Sequence, residues 1–315
     1  MEFPKVSIVI PVFNGGNFLA KAIDCALQQT YGNIEIIVVN DGSTDGGETE
    51  KIALSYGDRI RYFSKSNGGV SSALNYGITK MTGEYVSWLS HDDEYSPTKV
   101  QDAIDLLICN DAIGKKVLAF TSGYYIDASG KKIRGFSRCF AKHRQYEGLD
   151  VVRVMTERGT LNGCCMLIPK YAFEDVGEFD ETLRYSQDSL MWYKIFLAGY
   201  SLISDNKQNV MYRLHRNQTS QLRRDLYERD ALVIAKDLAE RLRKADENHE
   251  VLFRYILRLS RYCCKEAIEF LRHYANEHQC WGIRENMVLS VCGILGMLRY
   301  NLVCWGKKIL LRIRH

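Results

Sequence analysis

The first 121 residues alternate between two hydrophobic rhythms. Short, continuous apolar runs at 6–12, 34–39, 60–63, 85–89 and 117–121 have the length and β-branched content of buried strands. Between them, 17–29, a segment ending at Ser55, 70–79 and 97–108 carry apolar residues at helical spacing. Strands apolar on both faces and separated by helices predict an open parallel sheet covered on both sides. In such sheets ligands bind at the carboxyl ends of the strands. The unusual polar clusters of this chain fall at those ends.

After residue 121 the rhythm changes. The stretch "YYIDASGKKIRGF" predicts a hairpin with its turn near 127–130, 148–157 a helix, and "CCMLIP" (164–169) another buried strand. Gln187-Asp188 open a helix whose apolar face carries Leu190, Met191 and Ile195, and "YRLHRNQTSQ" (212–221) reads as a strand ending in His215 and Arg216. From Gln221 onward the pattern is almost wholly helical. The tail after residue 281 is apolar up to Leu298 and then mixes Arg299, Lys307, Lys308, Arg312 and Arg314 with Leu, Ile and Trp305. Its uninterrupted apolar run is about 12 residues, short of the ~20 that spanning a bilayer requires. The tail fits an interfacial helix on an anionic membrane and a helical cap on the catalytic domain equally well. The expected organisation is a first domain over 1–221 and a helical region over 222–315.

Composition changes this picture little. A chain of 315 residues buries a sizeable core, and 46% hydrophobic with 25% charged residues is ordinary for a folded soluble protein. A net charge of +4, without an aromatic-plus-basic stretch, argues against nucleic acid. The ten cysteines show no CxxC spacing and read as reduced, cytosolic thiols. The first apolar run is short and is followed by Asn14, so it reads as a strand rather than a leader.

Candidate chemistry sits at the strand tips. The run 85–89 ends in Ser90, His91, Asp92 and Asp93, two adjacent carboxylates that repel unless something positive is expected there. Ser96-Pro97 then reads as the N-cap and first turn of a helix. Hard oxygen ligands suit Mg²⁺ or Mn²⁺, which commonly share their remaining positions with substrate phosphates. "PVFNGG" (11–16) offers the aromatic face of Phe13 and two glycines, although by itself it is a strand–helix turn. In "VVNDGSTDGG" (38–47), Asp41 is the first acid out of the sheet, within a loop whose residues also form turns for local reasons. "SNGG" (66–69) precedes a helix whose free N–H groups suit a phosphate. Asp188 is either a helix cap or a base aimed into a cleft, and His215 alone is as readily structural as functional.

Together, in this order, these segments resemble the family 2 glycosyltransferases, inverting enzymes with the nucleotide-sugar-binding GT-A fold, over roughly residues 4–221. The resemblance implies a Rossmann-like, mostly parallel α/β sheet flanked by helices, followed by a C-terminal helical region. It implies that Pro11, Phe13 and Asn14 form the base platform, with Phe13 stacked on uracil, and that Asp41 holds the base. It matches "LSHDD" to the family's metal motif, usually L-D-x-D-D. Asp92 then touches Mn²⁺ or Mg²⁺, Ser90 replaces the first acid, His91 lies between them, and Asp93 orients Asp92 or contacts the sugar. Gly69 falls in the diphosphate-side loop, where Leu74 stands in place of a common Arg. Gln187-Asp188 matches the E-D pair, with Asp188 as base, and Trp192 shares its helical face and offers an apolar surface to an acceptor sugar beside Gln187. His215 matches a His found near metal and diphosphate.

The implied reaction moves a hexose or N-acetylhexosamine from a UDP-sugar to a saccharide hydroxyl, giving a β-linkage, as in O-antigen, capsule or lipopolysaccharide synthesis. The basic tail motivates a lipid-linked acceptor, such as one on undecaprenyl diphosphate, and a peripheral location on the cytoplasmic face of the inner membrane. Competing readings fit less well. "FNGGNF" lacks the basic residues of a nucleotidyltransferase loop, no Q-x-x-R-W segment of a processive synthase follows Asp188, and neither glycine loop spells G-x-G-x-x-G. A non-catalytic nucleotide-sugar-binding or scaffold protein is the remaining alternative, and the joint presence of Asp41, Asp92, Asp188 and His215 disfavours it.

Overall fold

The computed structural model describes residues 3–136, 139–216, 218, 224–245, 250–262 and 264–278. Two compact units are distinguished. One takes the chain up to Val151 and from Thr160 to Leu222; the other takes Val152–Gly159 and the described residues that follow.

The first unit is built on one sheet. Its centre is β1 (Val6–Val12), buried at every position, so that neither face tolerates a polar alternation. Each fully buried Ile or Val there contributes about 1.5–3 kcal/mol. β1 pairs in parallel with β2 (Ile34–Asp41) and β4 (Tyr85–Trp88), and β2 with β3 (Arg61–Lys65). Helices cover this half: α1 (Leu19–Leu27) buries Leu19, Ala22, Ile23 and Ala26, a three-and-four spacing. α2 (Glu48–Leu54) follows β2, and α3 (Val70–Lys80) packs on β1 and β2. A Cβ at Gly77 of α3 would lie 2.5 Å from Val9 Cγ1, so only glycine lets that helix approach the sheet so closely.

The other half is mixed. β9 (Met166–Pro169) runs antiparallel between β4 and β6 (Val117–Ile126), and β6 pairs in parallel with β10 (Ser201–Arg213). Short antiparallel strands complete it: β5 (Glu94–Tyr95) and β8 (Arg144–Tyr146) on β10, and β7 (Lys132–Gly135) on β6. The full order is β3-β2-β1-β4-β9-β6-β10-β5. A uniformly parallel sheet is therefore confined to its β3–β4 half, because a run such as MLIP fixes burial and leaves strand direction open. The expected hairpin is present, its turn closed by Asp127 Oδ1 accepting from the Ser129 and Lys131 amides. α4 (Lys99–Cys109) starts later than expected. Ser96 instead donates its N–H to Asn209, and its Oγ caps nothing, because β5 captures this part of the chain. α5 (Gly148–Arg158), α6 (Tyr171–Val176) and α7 (Gln187–Leu197) complete the helices of this unit, the C-terminal part of α5 grouping with the second.

The second unit contains α8 (Arg224–Ala245), α9 (Glu250–Tyr262) and α10 (Lys265–Glu277). They bury heptad-like rows, Ile234, Leu238 and Leu242 against Leu252, Ile256, Leu259 and Leu271, and Tyr274 donates its hydroxyl to the Ala239 carbonyl. No helix among the described residues is long and apolar enough to cross a membrane. The basic tail after 281 and residues 219–221 lie outside the described residues, and the strand expected to end in His215 and Arg216 ends at Arg213. The six described cysteines are free thiols.

Candidate active site

Parallel pairing sets the carboxyl ends of β1, β2 and β4 on one edge of the sheet, Val12 beside Asn40 and Val9 beside Trp88. Pro11, next to last in β1, is buried, while Phe13, just past its end, is 43% exposed, an aromatic face left open to a ligand. Asn14 adopts a positive φ of 52° and its side chain and N–H bond to Thr44 and Ser43. These bonds lock the loops after β1 and β2 together, so the Phe13 ring has a fixed frame.

Asp41 ends β2 and is 3% exposed. Its Oδ1 accepts from Lys65 Nζ at 2.9 Å and the Gly68 amide at 3.0 Å, and its Oδ2 from the Gly69 amide at 2.7 Å. The Gly69 N–H ahead of α3 is thus already engaged by a carboxylate, which corrects the expectation that it stands free for a phosphate. Gly69 itself needs its positive φ of 89°, and a Cβ there would lie 2.3 Å from Arg184 Nη1. Arg184, exposed, donates from that nitrogen to the Gly68 carbonyl at 2.6 Å.

The turn after β4 separates its two acids. Asp92 Oδ2 lies 2.9 Å from His215 Nε2, with both side chains partly exposed at 14% and 16%. Asp93 points inward, 1% exposed. Its Oδ1 accepts from the Arg213 amide at 2.9 Å, and its Oδ2 faces the Cys164 thiol at 3.5 Å. Burial, with the Asp92 charge added, pushes the Asp93 carboxyl well above the usual carboxylate range. Asp93 is therefore placed to hold the turn and not to touch a sugar. Ser90, in the position of the motif's first acid, lies 3.5 Å from Cys164 Sγ. His91 is held below its ordinary pKa by burial, against the Asp92 charge.

Arg213, at the end of β10 and fully buried, organises this turn. Its Nε donates to the Asp92 carbonyl at 2.9 Å and its Nη1 to the Asp127 and Ala128 carbonyls at 3.2 Å, while Nη2 pairs with Glu94 and the guanidinium covers the Phe18 ring. The sequence reading missed Arg213. The available signal was its place two residues before His215, hence on the same face of an extended strand.

α7 begins at Gln187, and Asp188 is in its first turn, partly exposed, with Oδ1 accepting from the Ser189 amide. Gln187 is 8% exposed, and its buried Oε1 has no partner among the described residues. Trp192 is 0% exposed and donates its Nε1–H to the Leu161 carbonyl. The expectation of an acceptor-facing Trp192 is thereby corrected: α7 is buried on nearly all sides after its first turn, so sharing a face with Asp188 does not bring exposure.

For a divalent cation, Asp92 and His215 offer one oxygen and one nitrogen donor. Among the described residues no group of three His, Cys, Asp or Glu side chains is placed to hold an ion. Two such protein donors fit an Mg²⁺ or Mn²⁺ that takes its other positions from phosphates and water.

Comparison with known proteins places the chain in a family. The model of the family "Glycosyl transferase family 2" matches residues 7–177. The "Uncharacterized glycosyltransferase RT0329" of Rickettsia typhi is 47% identical over 220 residues, 69% of this chain and 66% of that protein. An uncharacterized glycosyltransferase of Rickettsia bellii is 47% identical over 224 residues, covering 69% of this chain and 31% of that protein. The chain thus spans about a third of the length of the latter relative. Among solved structures, S. aureus TarS 1-349 in complex with UDP-GlcNAc superposes with a TM-score of 0.61 at 18% identity, over 86% of this chain and 83% of that one. This likeness shows the fold, a mixed α/β GT-A architecture with helices flanking its central sheet. With more than half of its length matched by the family model, the chain belongs to glycosyl transferase family 2.

Proposed function

We propose that this chain moves a sugar from a UDP-sugar to a saccharide hydroxyl by direct displacement with inversion, and that its first unit is the catalytic body. The observation that carries the reading is the partly exposed Asp92–His215 pair, 2.9 Å apart, at the carboxyl edge of the sheet. The TarS structures with UDP-GlcNAc and with UDP support a uridine diphosphate donor.

In this reading the exposed Phe13 stacks on the base. Asp41 holds the Lys65–Gly69 loop beside it and keeps lone-pair capacity for one further donor from the base. Asp92 and His215 hold an Mg²⁺ or Mn²⁺, which when bound neutralises charge on the leaving diphosphate. Asp188, in the first turn of α7, takes the proton from the acceptor hydroxyl as it attacks. A single base opposite the leaving group gives a β-linked product from an α-linked donor. A lipid-linked acceptor at the cytoplasmic face of a bacterial inner membrane belongs to the same reading and is motivated by the basic tail.

A screen of UDP-sugars with NMR of the first-formed product tests it, water serving as acceptor where no saccharide is supplied. Release of the β-anomer is expected; a product that retains the donor's α-configuration would overturn the one-step scheme.

A further inference from the structure

Besides the basic tail, positive charge is concentrated in one stretch of the first unit. Residues 128–146 hold Lys131, Lys132, Arg134, Arg138, Lys142 and Arg144 and no Asp or Glu. Six cations exceed the net +4 of the whole chain, so the remainder is net acidic. Lys131, Lys132, Arg134, Lys142 and Arg144 are exposed, and among the described residues none lies within ion-pair distance of a carboxylate. Elsewhere in this unit exposed or half-exposed cations do find acids, Arg61 with Glu35 and Lys207 with Asp102. The neighbouring Asp127 is committed to its own turn, its Oδ1 accepting from Ser129 and Lys131 backbone amides and the Ser129 hydroxyl.

The cations are backed by rings. Lys132 Nζ lies 4.1 Å from the Tyr124 ring centre and Arg134 5.0 Å from that of Tyr125. Strand register sets Arg134, Tyr125 and Tyr212 side by side across β7, β6 and β10. Tyr125 lies 5.6 Å from the Tyr212 ring and 4.8 Å from that of Phe136, and all three rings are half-buried. Lys132 also donates to Gln208 Oε1 at 3.3 Å, yet no carboxylate among the described residues neutralises these cations. A row of partly open rings bordered by them suits a ligand with apolar sugar faces and negative substituents.

The position of this hairpin is fixed relative to the site. The buried Arg213 guanidinium bonds on one side to the Asp92 carbonyl and on the other to the Asp127 and Ala128 carbonyls of the hairpin turn. The Leu214 amide donates to the Ile126 carbonyl beside it. The cation row therefore starts from the same turn that frames Asp92 and His215.

We propose that the β6–β7 hairpin is the docking surface for a negatively charged acceptor, a saccharide chain carrying carboxylate or phosphate groups. The inference rests on the glycosyl-transfer reading of the site and adds the charge class of the acceptor. Cations interleaved with rings, a combination the sequence reading did not find in this chain, would also draw a nucleic acid or a membrane surface. The hairpin's attachment to the transferase site favours the acceptor over both.

The test is fluorescence anisotropy with labelled oligosaccharides of equal length: one of alternating hexuronate and N-acetylhexosamine, its carboxyl-reduced neutral form, and a phosphorylated glucan. Single-stranded oligothymidylate and phosphatidylglycerol vesicles serve as competing probes. The wild-type chain is expected to bind at least one anionic saccharide about ten-fold more tightly than the neutral one. That preference should weaken by about ten-fold between about 50 and 200 mM salt. The stronger anionic arm identifies carboxylate or phosphate as the group read. The double substitution Lys132→Glu with Arg134→Glu should remove the preference while UDP affinity, measured by calorimetry, stays within about two-fold. Equal binding of charged and neutral saccharides, a preference that survives the double substitution, or tighter binding of oligothymidylate or vesicles would overturn the proposal. Absence of UDP binding in the wild type would instead count against the donor reading, and the charged-versus-neutral comparison would still judge the hairpin.

Discussion

Asp41 at the end of β2 and Asp93 after β4 are both almost fully buried, yet they are held in opposite ways. Asp41 has a lysine and two backbone amides on its oxygens. Asp93 has one amide and a thiol, beside a second carboxylate, and its charged form is disfavoured. Both contrast with Asp92 and Asp188, which remain partly exposed. These acids thus divide into two that are buried among the donors of the surrounding loops and two that keep partial exposure. Residue type does not tell the two apart; the donors around each carboxylate do.

The largest effect on stability should separate Asp93 from Asp92. Asp93→Ala leaves the buried Arg213 amide without its acceptor and should cost about 3 kcal/mol in urea unfolding. Asp93→Asn keeps an acceptor and removes a disfavoured buried charge. Because the folded-state pKa of Asp93 is raised, its carboxyl stabilises the fold less as pH climbs above the unfolded value, and the Asn variant should lose that slope. Asp92→Ala should unfold within about 1 kcal/mol of wild type and lose Mn²⁺-dependent UDP binding in calorimetry. Equal destabilisation by Asp92→Ala and Asp93→Ala would erase the distinction.

Lys99 sharpens the same contrast beneath the site. It is fully buried, donates to Ser87 Oγ and the Met166 carbonyl, faces the Tyr95 ring and lies near Cys164 and Cys165. Burial holds its pKa down to about 8 from 10.5, against the pull of those thiols. The unfolded chain then binds the extra proton between these values, so Lys99 adds stability as pH rises from about 8 to 10.5. The difference between wild type and Lys99→Met should shift by about 3 kcal/mol over that window. A pH-independent difference would show that Lys99 is not buried as a destabilised cation. The smallest effect is expected at Phe13: Phe13→Ala should weaken UDP binding by about 1–3 kcal/mol, as loss of one base–aromatic stack does, with thermal stability unchanged.

Much of this was legible because buried strands announce themselves. β1 and β2 are apolar on both faces, and their tips therefore stood out as polar clusters. The direction of β9 was not legible, since MLIP is buried whichever way it runs. β5 and β8 are too short for any periodicity to register, and capture of Ser96 by β5 displaced the start of α4. Trp192 misled because helical spacing reports a shared face and says nothing of what covers it. Gly69 misled because its amide partner, Asp41, lies 28 residues away in sequence. Arg213 was readable through strand alternation with His215, and that signal went unused.

In the proposed reaction Asp188 removes the acceptor proton at a donor site built by other residues. Asp188→Asn measured for UDP affinity by calorimetry and for sugar transfer by product release tests it most directly. Donor binding is expected near wild type, with transfer slower by about 10²–10⁴-fold. Turnover at the wild-type rate would contradict it.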